Sequence, residues 1–113
     1  MSLFVLFHRP GPAWQPGVDF PAQDGIMDHI VFMRRLDDEG RLLLGGPFDD
    51  EPAGPADGGP VGIAIIEADS LQEAKRLAES DRSVQAGLLT FRARPWRPRM
   101  GSALPSEGAS GAR

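Results

Sequence analysis

The chain contains no cysteine. Disulfide frameworks, thiolate metal centres, iron–sulfur ligation and cysteine nucleophiles are therefore excluded, and zinc fingers with them. A cysteine-free chain fits the reducing cytoplasm. Long hydrophobic runs are also missing. The run nearest the start, Leu3 to Phe7, is far short of the roughly 18 residues that a membrane span needs, and no basic segment precedes it. Neither a membrane span nor a signal peptide is expected. Basic charge is in deficit, with 12 Lys plus Arg against 16 Asp plus Glu and a net charge of −4. Phosphate-backbone binders take their affinity from clustered cations, so a nucleic-acid partner is not expected. No repeat of fixed period occurs. With 113 residues and 41% hydrophobic residues, the chain has room for one moderate core.

What is present is heavy punctuation. The 14 glycines and 11 prolines gather in Pro10 to Pro21, in Gly45 to Pro60 and in the tail from Pro95. Between them lie six regular segments. Leu3 to His8 is an unbroken apolar run ended by Arg9-Pro10-Gly11-Pro12, as expected of a central strand covered on both faces. A helix is predicted from about Ala22 to Glu39, capped by Asp24 and stopped by Gly40. Its spacing places Ile26, His29, Ile30, Met33 and Leu36 on one packing stripe. Arg41 to Gly46 and Val61 to Glu67 are predicted strands, joined by a long polar loop from Phe48 to Pro60. Ser70-Leu71-Gln72-Glu73 is a capping box that opens a helix running to about Glu79. Leu88 to Trp96 alternates with period two and forms the last strand. The tail from Gly101 to Arg113 is small and polar and is expected to be disordered. The folded domain is placed at residues 1–98, followed by a tail over 99–113.

The order strand, helix, strand, strand, helix, strand is that of an α+β, ferredoxin-like βαββαβ sandwich with an antiparallel sheet. This topology gathers the end of the first strand, the start of the first helix, the end of the second strand and the end of the second helix at one edge. His8, His29, Asp49, Asp50 and Asp81 all belong there. The sheet also keeps one face free of helices, so a second copy of the chain is expected to cover it.

A histidine beside a carboxylate is the pattern with the most chemical content, because the acid fixes the tautomer and raises the basicity of the other ring nitrogen. His29 and Asp81 are the proposed pair, with Asp49 or Asp50 as alternative acids. The competing reading is a packed histidine bonded to backbone. Pro47 and Phe48 are expected to shape a pocket wall, with Asp49, Asp50 and His8 able to touch a ligand. The two histidines show no HxH or HxxxH spacing, so no metal site is expected. Gly45-Gly46-Pro47 is followed by no Gly-Lys-Ser/Thr and no helix, unlike a phosphate loop. Ser83 lacks a glycine-flanked elbow. Arg92, Arg94, Arg97 and Arg99 are taken as a solvated or subunit-facing strand edge, and Trp14 and Trp96 as cover for a core or interface.

Over about residues 2 to 98 the chain resembles the YCII-related family. The resemblance rests on His29, on Asp38-Glu-Gly-Arg-Leu-Leu-Leu-Gly-Gly-Pro-Phe48, on the helix opening from Ala68 to Ala78, and on Asp81-Arg-Ser-Val-Gln-Ala-Gly87 leading into Ala93-Arg-Pro-Trp96. It implies a dimeric α/β-barrel fold and an active site centred on a histidine and an aspartate, which map to His29 and Asp81. Family members usually read Asp-Pro at the second position, whereas this chain has Asp81-Arg82. A ring-dehalogenating enzyme resembles the family, and neighbouring barrel families include isomerases and monooxygenases that use no cofactor. The function implied is cofactor-independent proton transfer on a small ring- or carbonyl-containing molecule. The alternative is a non-catalytic binding or accessory module.

Overall fold

Four antiparallel strands form one sheet in the computed structural model, which describes residues 2–104. The strands are β1 (Ser2–Pro10), β2 (Leu42–Pro47), β3 (Gly62–Ala68) and β4 (Leu89–Trp96), in the spatial order β2-β3-β1-β4. The helices are α1 (Ile26–Asp38), α2 (Leu71–Glu79) and a single turn, α3 (Arg82–Gln85). The sequence order of strands and the two long helices is the one expected, and the α+β class with it. No helix among the described residues is long and apolar enough to cross a membrane.

β1 is central, but the described residues cover only one of its faces. Phe4, Leu6 and His8 are buried, while Leu3, Val5 and Phe7 on the other face are half-buried. β3 alternates in step: Gly62, Ala64, Ile66 and Ala68 are buried and Ile63, Ile65 and Glu67 are partly exposed. The register Leu6↔Ala64 and Phe4↔Ile66 sets the buried positions side by side. Phe32 and Leu36 of α1 and Ala74 and Ala78 of α2 pack onto them. The two alanines let α2 approach the sheet closely. A second cluster of Phe20, Val61, Leu88 and Leu89 closes the His8 end, with Trp14 against Phe20 at a ring separation of 5.5 Å.

Two expectations at the helix starts need correction. α1 begins at Ile26 rather than near Ala22, and its N-cap is Gly25 at φ 88°, not Asp24. The cause is the Gln23 side chain, which is buried and donates to the carbonyls of Gln15 and Val18 while accepting from the Gln15 N–H. These three bonds hold residues 15–23 as a strap, and Phe20–Ala22 forms a separate 3-10 turn. At α2, Ser70 accepts from the Glu73 N–H at 3.0 Å as expected. Glu73 reaches back to the N–H of Asp69, one residue before the cap, at 2.6 Å. The stop of α1 follows the sequence: Gly40 at φ 74° ends it, with Gly40 N–H donating to Asp37 and Arg41 N–H to Leu36.

Phe48 to Pro60 forms no strand or helix. In the tail, Leu104 N–H closes a turn onto Gly101. The disorder expected of Gly101–Arg113 falls mostly on residues 105–113, outside the described range.

Candidate active site

Three polar side chains are buried where β1 ends, α1 begins and α2 passes into α3. His8 is the last buried position of β1, His29 lies in the first turn of α1, and Asp81 is the N-cap of α3. Their relative exposures are 1%, 8% and 0%. Burying a polar group without a partner is costly, so where each bond goes decides what the cluster can do.

Asp81 is fully engaged. One carboxylate oxygen accepts from the N–H of Ser83 at 2.8 Å and from its hydroxyl at 2.7 Å. The other lies 2.7 Å from His29 Nδ1. Burial opposes ionisation here, but the hydrogen bonds from His29 and Ser83 outweigh it and hold the carboxyl below its ordinary value. An ionised Asp81 can only accept, so Nδ1 carries a proton, and in the neutral imidazole the lone pair is on Nε2. As a nucleophile Ser83 has no support in the sequence. An aspartate two residues before a serine is the mark of a side-chain cap, and here Asp81 is the cap and Ser83 its donor.

His8 stands edge-on to His29, with ring centroids 4.8 Å apart and planes at 74°. Its Nε2 is buried and has no hydrogen-bond partner among the described residues. Burial, reinforced by His29 and only partly offset by Asp81, pushes its pKa down to about 3. His8 is therefore neutral near neutral pH. Phe20 and Phe32 flank the His29 ring at 5.9 and 6.1 Å and restrict its rotation.

Both histidines line a cavity of about 350 Å³ between α1 and the β2–β3 end of the sheet. Its helix wall carries Ile26, Ile30 and Met33, which are half-buried because they border this space, Ile26 and Met33 as well as the packed clusters. Phe20 and Pro21 of the strap close one end. The cavity exists because the sheet beneath it is short of side chains. Gly62 faces the helices as the register partner of His8, and a Cβ there would lie 2.8 Å from the Gly46 carbonyl oxygen. A Cβ on Gly45 would collide with Met33 Cε.

Of the residues expected at this site, His8, His29 and Pro47 line the cavity and Asp81 stands behind His29. Phe48, Asp49 and Asp50 lie outside it and are exposed. Phe48 N–H is anchored to Val61, after which the loop leaves the sheet, and the acids follow it into solvent. The carboxylate that meets His29 is that of Asp81. Among the cavity residues not anticipated are Phe20, Pro21, Arg34, Asp37 and Gly62. The first two depend on the strap, whose course is set by the single side chain of Gln23.

By proximity, His8, His29 and Asp81 also form a possible ligand set, with ligating atoms within 4.8 Å of one another. Both oxygens of Asp81 are already bonded to protein donors, so metal binding through the carboxylate would have to displace His29 or Ser83.

The YCII-related domain family matches residues 2–97. The chain belongs to this family. The uncharacterized protein YjpA of Bacillus subtilis (strain 168) is 36% identical over 75 residues, spanning 66% of this chain and 79% of YjpA. In three dimensions this YCII-related chain is similar to 5-chloro-2-hydroxyhydroquinone dehydrochlorinase (TftG) of Burkholderia phenoliruptrix AC1100, solved with 2,5-dihydroxybenzoquinone. The TM-score is 0.60 at 24% identity, over 84% of this chain and 93% of the neighbour. At that identity the likeness establishes a shared fold.

Proposed function

We propose that the protein is a small cytoplasmic enzyme that moves a proton on a ring- or carbonyl-containing molecule by general acid–base catalysis. The observation that carries this reading is the buried 2.7 Å contact between His29 and Asp81 on the wall of an open, mostly apolar cavity. A histidine that serves only packing has no need of an ionised acid behind it and an accessible space in front.

In this reading His29 Nε2 takes a proton from a carbon next to a carbonyl, and the C–H electron pair becomes an enolate or dienolate. Asp81 remains ionised and stabilises the imidazolium. The imidazolium then either returns the proton to a different carbon, giving an isomer, or protonates solvent while a leaving group departs with its electron pair. The second course is an elimination. That a fold neighbour is a dehydrochlorinase solved with a quinone supports the ring class. His8 and Pro47 border the bound molecule. The reading needs no cofactor.

We also place a second copy of the chain on the open sheet face. The half-buried Leu3, Val5, Phe7, Ile63 and Ile65 and the 71% exposed Leu44 support this, since no element among the described residues covers them.

The test is a screen of chlorinated hydroquinones and enolisable ring ketones for chloride release and solvent-deuterium uptake, with wild type beside His29→Ala. Turnover should be lost in the variant while its circular dichroism stays that of wild type. Activity within a factor of about two of wild type would overturn the catalytic role and leave a binding module.

A further inference from the structure

The ionisable residues lining the cavity are His8, His29, Arg34 and Asp37. His8 is neutral, and His29 is committed to Asp81. Arg34 is therefore the one permanent cation on this wall. Its neighbours in sequence and type are engaged elsewhere. Arg35 donates to Ser80 at 2.5 Å and lies over the Phe32 ring, and Arg41 is within 4 Å of Glu39 and Glu73. Arg34 makes no hydrogen bond or ion pair among the described residues. An exposed, unpaired arginine is ordinary on a surface. This one borders an apolar space, where a bound charge is poorly hydrated and a guanidinium is correspondingly more valuable to it.

Position along α1 gives the spacing. Arg34 is five residues beyond His29, about 7.5 Å along the helix axis and about 140° around it, and Ile30 and Met33 line the wall between them with apolar surface. A substituted six-membered ring reaches between groups offset by that much along the axis. Asp37 follows three residues further out, so the charges met from the inside are a base, then a cation, then an anion at the rim.

We propose that Arg34 is the specificity residue of the cavity and that its ligand is a planar ring with an ionised oxygen, phenolate, enolate or carboxylate, on the side away from His29. Asp37 then disfavours a ligand carrying a second negative charge further out. The proposal deepens the proton-transfer reading and rests on it: the anion at Arg34 fixes which ring carbon faces Nε2.

The experiment uses two probes of similar shape and different charge, 2,5-dihydroxybenzoquinone, a vinylogous carboxylic acid that is ionised at neutral pH, and 2,5-dimethoxybenzoquinone, which cannot ionise. The cysteine-free chain has no thiol to add to either. Binding is read by absorbance titration. Wild type should prefer the ionised probe by about tenfold, and Arg34→Met should remove that preference while leaving the dimethoxy probe within about twofold. Arg34→Lys should restore part of it, and Asp37→Asn should tighten the ionised probe alone. Arg34 is exposed, so Arg34→Met is expected to fold. An unchanged preference in Arg34→Met, or an equal loss for both probes, overturns the assignment of Arg34 and leaves the cavity reading intact. Failure of wild type to bind either probe overturns both.

Discussion

His29 Nδ1 and Asp81 Oδ2 lie 2.7 Å apart although 52 residues separate them in the chain. The aspartate reaches its place as the cap of a four-residue helix, held by Ser83, and the histidine through the first turn of α1. Chemistry and stability therefore meet in one hydrogen bond, and changes around it should show in both.

Asp81→Asn keeps the shape of the acid and removes its charge. An amide can donate to Nδ1, which would push the imidazole proton to Nε2 and take away the lone pair facing the cavity. Turnover on any substrate found should fall by about 10²- to 10⁴-fold with native circular dichroism retained. Equal rates would assign the proton transfer elsewhere.

Ser83→Ala deletes the 2.7 Å hydroxyl bond to Asp81 and leaves the 2.8 Å backbone bond. Removing one donor to a buried carboxylate should cost about 1.5–3 kcal/mol in urea unfolding. Asp81 is held below its ordinary value partly by this bond, so its loss moves the carboxyl upward. Stability tied to ionised Asp81 is present above the unfolded value of 3.8 and is lost as pH falls through the lower folded value. In Ser83→Ala the loss should still begin at the unfolded value but be smaller and complete at a higher pH.

His8 should dominate a different window. Its pKa is 6.5 when unfolded and about 3 when folded, so between those values the unfolded chain holds a proton that the folded chain does not. Above pH 6.5 His8 contributes no pH dependence, and below it stability should fall by about 1.4 kcal/mol per pH unit until pH about 3. His8→Leu removes both the titration and the unpartnered Nε2, so its urea midpoint should stay flatter from pH 6.5 to 4.5. A variant with the wild-type slope would show that another group carries the acid sensitivity.

The strap gives a local prediction. Gln23→Leu breaks three hydrogen bonds to residues 15 and 18 and should cost about 2–3 kcal/mol. Amide exchange should accelerate across residues 15–23 before it does in β1. Uniform acceleration across the sheet would mean that the strap is not a separate unit.

The strands and both long helices were legible because each signal is local: alternation in Leu89–Ala93, the Ser70 cap, the Gly40 stop. His29 and Asp81 could be brought to one sheet edge by topology alone, since element order fixes which ends meet. The start of α1 was not legible. It is set by Gln23 folding back on Gln15 and Val18, a contact between side chain and backbone with no periodicity. Asp49 and Asp50 stay open as alternative acids in the sequence because a topological argument stops at the end of β2 and cannot say which way the following loop turns. Arg34 carries no signal in the sequence for a related reason. It lies off the apolar stripe of α1, and only the cavity left by Gly45 and Gly62 makes that flank of the helix a wall.

Everything proposed for the site rests on Asp81 holding the His29 proton on Nδ1 and leaving Nε2 free toward the cavity. Long-range ¹⁵N–¹H correlation of the histidine rings at about pH 8 reads the tautomer directly. Wild-type His29 should be the Nδ1–H form and should shift to the Nε2–H form in Asp81→Asn. An Nε2–H His29 in wild type would contradict this, because the nitrogen facing the cavity would then have no lone pair with which to take a proton.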